Sequence, residues 1–136
     1  MSAMERHPEP IRHVLLATDL ERSSRRAAAE AIRLATEHGA VLIVLAVARS
    51  HRDRARLEAG AEAIAERARA AGVSATSVVW HGDPGEAILE AAWTERADVV
   101  VLGSRRRRNL SRLLLGSVSS HVAEEAACRV VIVPSS

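Results

Sequence analysis

Five short, β-rich apolar runs alternate along this chain with four longer segments of helical periodicity, and this alternation constrains the fold more than any other feature. The runs are Ile11–Ala17, Val41–Val47, Ser74–Trp80, Asp98–Leu102 and Val130–Val133. Between them lie Ser23–His38, Arg52–Ala71, Glu86–Arg96 and Gly116–Ala127. Val41–Val47 is almost continuously apolar, as a strand covered on both faces requires. In Ser23–His38 the alanines and Ile32 recur at helical spacing, and Gly39 follows as a natural C-cap. The turn Gly82-Asp83-Pro84-Gly85 brings Pro84 to the start of the third helix. The alternation predicts an α/β fold: a doubly wound, five-stranded parallel sheet with helices on both faces and right-handed crossovers. With 136 residues the chain can bury a core of its own without disulfide or metal. We expect a disordered tail over 1–10 and one domain over 11–136.

Open sheets of this kind bind ligands beyond the carboxyl ends of the strands, where the strand order reverses. The loops Thr18–Arg22, Ala48–Arg52, His81–Gly85 and Gly103–Leu115 are therefore where function is to be sought. Composition narrows what that function can be. All 19 basic residues are arginine, which excludes Schiff-base chemistry and every phosphate site built on a lysine. There is no Phe or Tyr, and the only aromatic rings besides histidine are Trp80 and Trp93, so base recognition on an aromatic platform is not expected. Cys128 is a lone cysteine, unable to form an internal disulfide, and reads as a buried inert thiol. No apolar run is long enough to span a bilayer, and Met1–Pro10 lacks the apolar core of a secretory signal, so a cytoplasmic location is expected.

The stretch after the fourth strand is the most distinctive. A buried run ends at Gly103, a basic loop containing Arg105-Arg106-Arg107-Arg108 follows, and Gly116-Ser117-Val118-Ser119-Ser120 opens a helix. Unpaired backbone N–H groups at a helix start, beside small residues and hydroxyls, form an anion site, and arginine adds charge-assisted donors. Two plainer readings stand beside this one. Ser117 can simply N-cap the helix, and four consecutive arginines suit a solvated loop.

The same stretch resembles the nucleotide motif of universal stress proteins: Gly, two residues, Gly, nine residues, Gly, then Ser or Thr. Gly103 matches the first position, and the nine residues 107–115 lead to Gly116 and Ser117. Arg106 stands where the middle glycine is expected. The opening strand into Ala17-Thr18-Asp19, the Gly82-Asp83-Pro84 turn and Ala97-Asp98-Val99-Val100-Val101-Leu102-Gly103-Ser104 are also similar to the family, so the resemblance runs from Ile11 to Pro134. It implies strand order 3-2-1-4-5 and a site for ATP, with Mg²⁺ carried on its phosphates. By position, Thr18 and Asp19 would meet ribose or adenine, Val47 would line the adenine slot, and Gly103 would allow close backbone approach. Gly116, Ser117, Val118 and Ser119 would cradle the phosphates, with Arg105 and Arg106 as side-chain partners. Asp19 has a second reading, as cap of the first helix. Arg106 leaves two outcomes open: a phosphate held partly by guanidinium, or a pocket that no longer takes ATP and a protein that works as a dimeric interaction module.

The resemblance also implies a homodimer through Val130–Val133, a short apolar run expected at the sheet edge. No catalytic motif or metal-ligand spacing is present, so the chain is not expected to be an enzyme and any ATP hydrolysis is expected to be slow and incidental; the resemblance implies a regulatory or sensing role in stress adaptation. His81, close to Asp83, reads as a residue able to orient a ligand or as a solvated loop histidine, and His51 and His121 have no base–nucleophile partners in sequence. The small net charge of +2 argues against nucleic-acid binding.

Overall fold

The computed structural model describes residues 10–104 and 116–135. Five parallel strands, β1 (His13–Ala17), β2 (Val41–Ala48), β3 (Ala75–His81), β4 (Val99–Ser104) and β5 (Arg129–Pro134), form one sheet in the order 3-2-1-4-5. The helices are α1 (Arg25–His38), α2 (Arg54–Ala70), α3 (Pro84–Thr94) and α4 (Ser117–Glu125). Side chains alternate between the two faces along each strand. On β1, Val14 and Leu16 join the core under α1 and α2, with Ala27, Ala31, Leu57 and Ala61. Leu15 and Ala17 join the other core, under α3 and α4, with Ile88, Ala91 and Val122. Burial on both sides is why β1, β2 and β4 read as apolar runs rather than alternating ones.

The helices begin later than periodicity alone suggests, for a local reason. Arg22–Ser24 and His51–Asp53 each form a single 3₁₀ turn before α1 and α2. Only α3 starts early, because Asp83 caps it by accepting a hydrogen bond from the Glu86 N–H (3.1 Å) with Pro84 in the first turn. The expected last helix is shorter at both ends, with Gly116 outside it as the cap residue.

At the end of the sheet away from the β1–α1 loop, Asp98 ties β1 to β4. Its Oδ2 accepts the backbone N–H of Arg12 (2.8 Å) and of His13 (2.9 Å). Burial opposes ionisation of this carboxyl most strongly, but the two N–H donors together with the nearby His13 and Arg129 charges outweigh it and hold Asp98 below its ordinary value. A depressed folded value means stability that is complete above the unfolded value, ordinarily 3.8, and is lost as pH falls through the folded one. Asp98→Ala should therefore lower unfolding free energy by about 1–2 kcal/mol at neutral pH, with the deficit shrinking below about pH 4. Urea unfolding at several pH values checks this; a deficit that grows on acidification would contradict it.

Cys128 is half-buried rather than fully buried, and burial pushes its thiol up, away from the reactive thiolate. No helix among the described residues is long and apolar enough to cross a membrane.

Candidate functional site

At the carboxyl ends of the strands, where the order reverses between β1 and β4, lies a cavity of about 550 Å³. Thr18, Asp19, Val47, Gly103, Gly116, Ser117, Val118 and Ser119 all line it. Eight of the ten residues singled out in the sequence thus meet in one place. The other two, Arg105 and Arg106, lie outside the described residues.

The β1–α1 loop forms one wall, and several contacts hold it. The Thr18 N–H donates to the Leu45 carbonyl (2.9 Å), extending the β1–β2 pairing by one residue. Asp19 Oδ1 accepts from the Glu21 N–H (2.9 Å) and from the Ser24 hydroxyl (2.7 Å). Asp19 therefore braces the turn ahead of α1 and does not cap α1 itself, whose cap position is Ser24. Leu20 adopts a left-handed backbone (φ 65), a conformation that costs a branched residue on the order of 1 kcal/mol. Its N–H donates to Thr18 Oγ1 (3.0 Å), and its side chain packs onto α2 at Gly60. A Cβ at Gly60 would lie 2.3 Å from Leu20 Cδ1, so the helix lacks a side chain where the loop inserts one.

Gly103 has a similar role at the end of β4. A Cβ there would stand 3.3 Å from the Ser23 carbonyl oxygen and 3.4 Å from Ser24 Cα. The protein's own backbone thus comes close at this glycine, which also lines the cavity. Across the cavity, the Ser119 hydroxyl donates to the Gly103 carbonyl (3.2 Å), fixing α4 against β4. Ser117 lies inside α4, so the reading of Ser117 as the N-cap does not hold; Gly116 occupies that position in extended conformation (φ −70, ψ 171). The N–H groups of the first turn of α4, which have no partner within the helix, therefore belong to residues that line the cavity. No acidic side chain occupies that turn, so the positive end of the helix dipole is not offset there.

Sequence reasoning missed part of the lining. Arg49, Asp53 and Arg56 stand around the end of β2, with Arg56 Nη2 3.8 Å from Asp53 Oδ1. Leu45, Leu57, Pro84 and Ile88 supply an apolar floor and wall. The signal was weak because these residues read as the solvated face of a helix and as core. Among the described residues, no histidine lines the cavity. His121 Nε2 is 2.6 Å from Glu86 Oε2, and His81 Nδ1 is 3.2 Å from Arg54 Nη1 with the His51 ring nearby (centroids 5.0 Å). Among the described residues no group of three or more His, Cys, Asp or Glu could hold a metal ion.

Comparison with known proteins decides the family, because the universal stress protein profile matches residues 10–134, nearly the whole chain. The chain belongs to the universal stress protein family. A universal stress protein of Thermus aquaticus is 37% identical, covering 88% of this chain and 96% of that one. Among solved structures, a universal stress protein in complex with cAMP is 30% identical with a TM-score of 0.75, covering 94% of this chain and all of the other. Protein Rv1636 of Mycobacterium tuberculosis is also 30% identical, with a TM-score of 0.61 over 92% of this chain and 96% of that one. The strand order that the resemblance implies, 3-2-1-4-5, is the order observed.

Proposed function

We propose that this universal stress protein binds an adenine nucleotide in the cavity between the ends of β1 and β4 and acts as a regulatory sensor. The observation that carries the reading is the convergence of Thr18, Asp19, Val47, Gly103 and Gly116–Ser119 on one lining. Its volume, about 550 Å³, suits a nucleotide. Its chemistry does too: an apolar slot at Leu45, Val47 and Ile88 opposite a helix start able to receive an anion. The relative solved with cAMP supports the adenine-nucleotide class. ATP is the member that the sequence motif favours, with Mg²⁺ arriving on its phosphates and not held by a protein cage. We take the role to be binding, in the cytoplasm, with any hydrolysis slow and incidental.

Mass spectrometry of the small molecules released by denaturing the purified protein tests this. The expected result is an adenine nucleotide approaching one per chain. A preparation that carries none, and takes none up from millimolar ATP, AMP or cAMP, would favour the reading that Arg106 supports, a family member that has given up the ligand and works through protein contacts.

We also propose a homodimer through β5. This strand lies at the sheet edge with Val130, Val131, Ile132 and Val133 only partly covered, an arrangement that favours pairing with a second chain. Light scattering at tens of micromolar should give twice the chain mass of 14.6 kDa. A charge placed on the edge, Val131→Glu, should give the monomer; a wild-type monomer at that concentration would sink the proposal.

A further inference from the structure

The sheet gives the cavity two ends. β2 and β4 flank β1, so they stand two strand spacings apart, about 10 Å. The β4 end carries Gly103 and the start of α4; the β2 end carries Leu45, Val47 and Arg49, with Asp53, Arg56 and Leu57 from the start of α2. A nucleotide whose phosphate rests on the α4 N–H groups therefore extends its base toward β2 and α2. There it meets an aliphatic floor on one face. A purine also gains from a flat partner on the other face, and aromatic rings usually supply it. This chain has no Phe or Tyr; Trp80 and Trp93 do not line the cavity, and Trp93 is 80% exposed on α3. The flat groups at that end are guanidiniums.

Resting on the nucleotide reading above, we propose that Arg56 is the base-stacking residue of the site, its guanidinium lying over the purine face and closing the slot floored by Val47. Arg56 is favoured over Arg49 because its Nη2 lies 3.8 Å from Oδ1 of Asp53, a carboxylate that also lines the cavity and draws the guanidinium toward the rim. Neighbouring Arg54 is turned away to Glu58 (3.1 Å) and His81 (3.2 Å). Arginine suits the task because its plane is delocalised and weakly hydrated, whereas a lysine ammonium has no face to stack. The proposal also separates two kinds of cation by location. The charge of the phosphate is met at α4, and the arginine at α2 reads the base.

Calorimetry of nucleotide-free protein with AMP, adenosine and ribose 5-phosphate tests this, using wild type, Arg56→Ala and Arg56→Lys. Arg56 is exposed on a helix and its ion pair is loose, so both variants should fold. Arg56→Ala is expected to weaken AMP and adenosine alike by about tenfold, the scale of one stacking contact, and to leave ribose 5-phosphate unchanged. Arg56→Lys should behave like alanine, since it keeps the charge and loses the plane. The proposal is overturned if Arg56→Ala weakens ribose 5-phosphate as much as AMP, if lysine restores wild-type affinity, or if AMP binding does not change. A wild type that binds none of the three overturns the nucleotide reading itself, which is a different result from a wild type that binds and an Arg56 variant that binds equally well.

Discussion

Ser117→Asp should remove the affinity for nucleotides while leaving the fold as stable as before, or slightly more so. The two effects have opposite signs because they share one cause. Ser117 is the first residue of α4, and no acidic group occupies that turn. A carboxylate there meets the positive end of the helix dipole and should stabilise the protein by about 0.3–1 kcal/mol. On the proposed reading, the same carboxylate occupies the place that the phosphate needs. Two like charges about 4 Å apart, at the effective dielectric of a partly open site, repel by on the order of 2–4 kcal/mol once screening is allowed for. That corresponds to a loss of about 30- to 1,000-fold in affinity. Adenosine, which carries no phosphate, should be affected little. Denaturant unfolding beside calorimetry with AMP and adenosine separates the two effects. An unchanged AMP affinity would remove α4 from the site.

Gly103→Val should damage both the fold and the site. The Cβ of any side chain here stands 3.3 Å from the Ser23 carbonyl oxygen and 3.4 Å from Ser24 Cα. Both are backbone atoms, which cannot rotate aside as a side-chain tip can. Valine's methyl groups reach further, so the β1–α1 loop must lift from β4, at a cost of about 1–3 kcal/mol. Lifting it strains the bonds that brace the wall, those from Ser24 and Glu21 to Asp19. A loss of more than about tenfold in nucleotide affinity should accompany the loss of stability, as expected when a contact that positions a site is disturbed. Gly60→Ala tests the other anchor of the same loop more gently, because the group in its way is the movable end of Leu20. A Gly103→Val protein with wild-type unfolding free energy would contradict this account of the loop.

The architecture was legible in the sequence because burial on both faces leaves continuous apolar runs, and β1, β2 and β4 are buried in that way. Membership of the family was legible from motifs in order along the chain, which the match over residues 10–134 bears out. Helix starts were read less well: Arg22–Ser24 and His51–Asp53 have helix-like spacing but form 3₁₀ turns. Gly103 was readable as a position that needs glycine, but the neighbour requiring it, the Ser23–Ser24 backbone, is far away in sequence. The contact between Leu20 and Gly60 was invisible for the same reason, since neither residue is unusual until the fold brings them together. Asp53 and Arg56 went unnoticed because a charged helix start is normally just solvated, and Arg49, although inside the Ala48–Arg52 loop, carried no motif to set it apart from the other arginines.

One measurement bears most directly on the claim that the switch-point cavity is an adenine-nucleotide site. Nucleotide-free protein is titrated calorimetrically with MgATP, AMP and cAMP, and the titration is repeated with Ser117→Asp. The account predicts saturable binding of at least one of these at about one site per chain, lost in the variant. No heat from any of the three at millimolar concentration, or binding that survives Ser117→Asp unchanged, would contradict it.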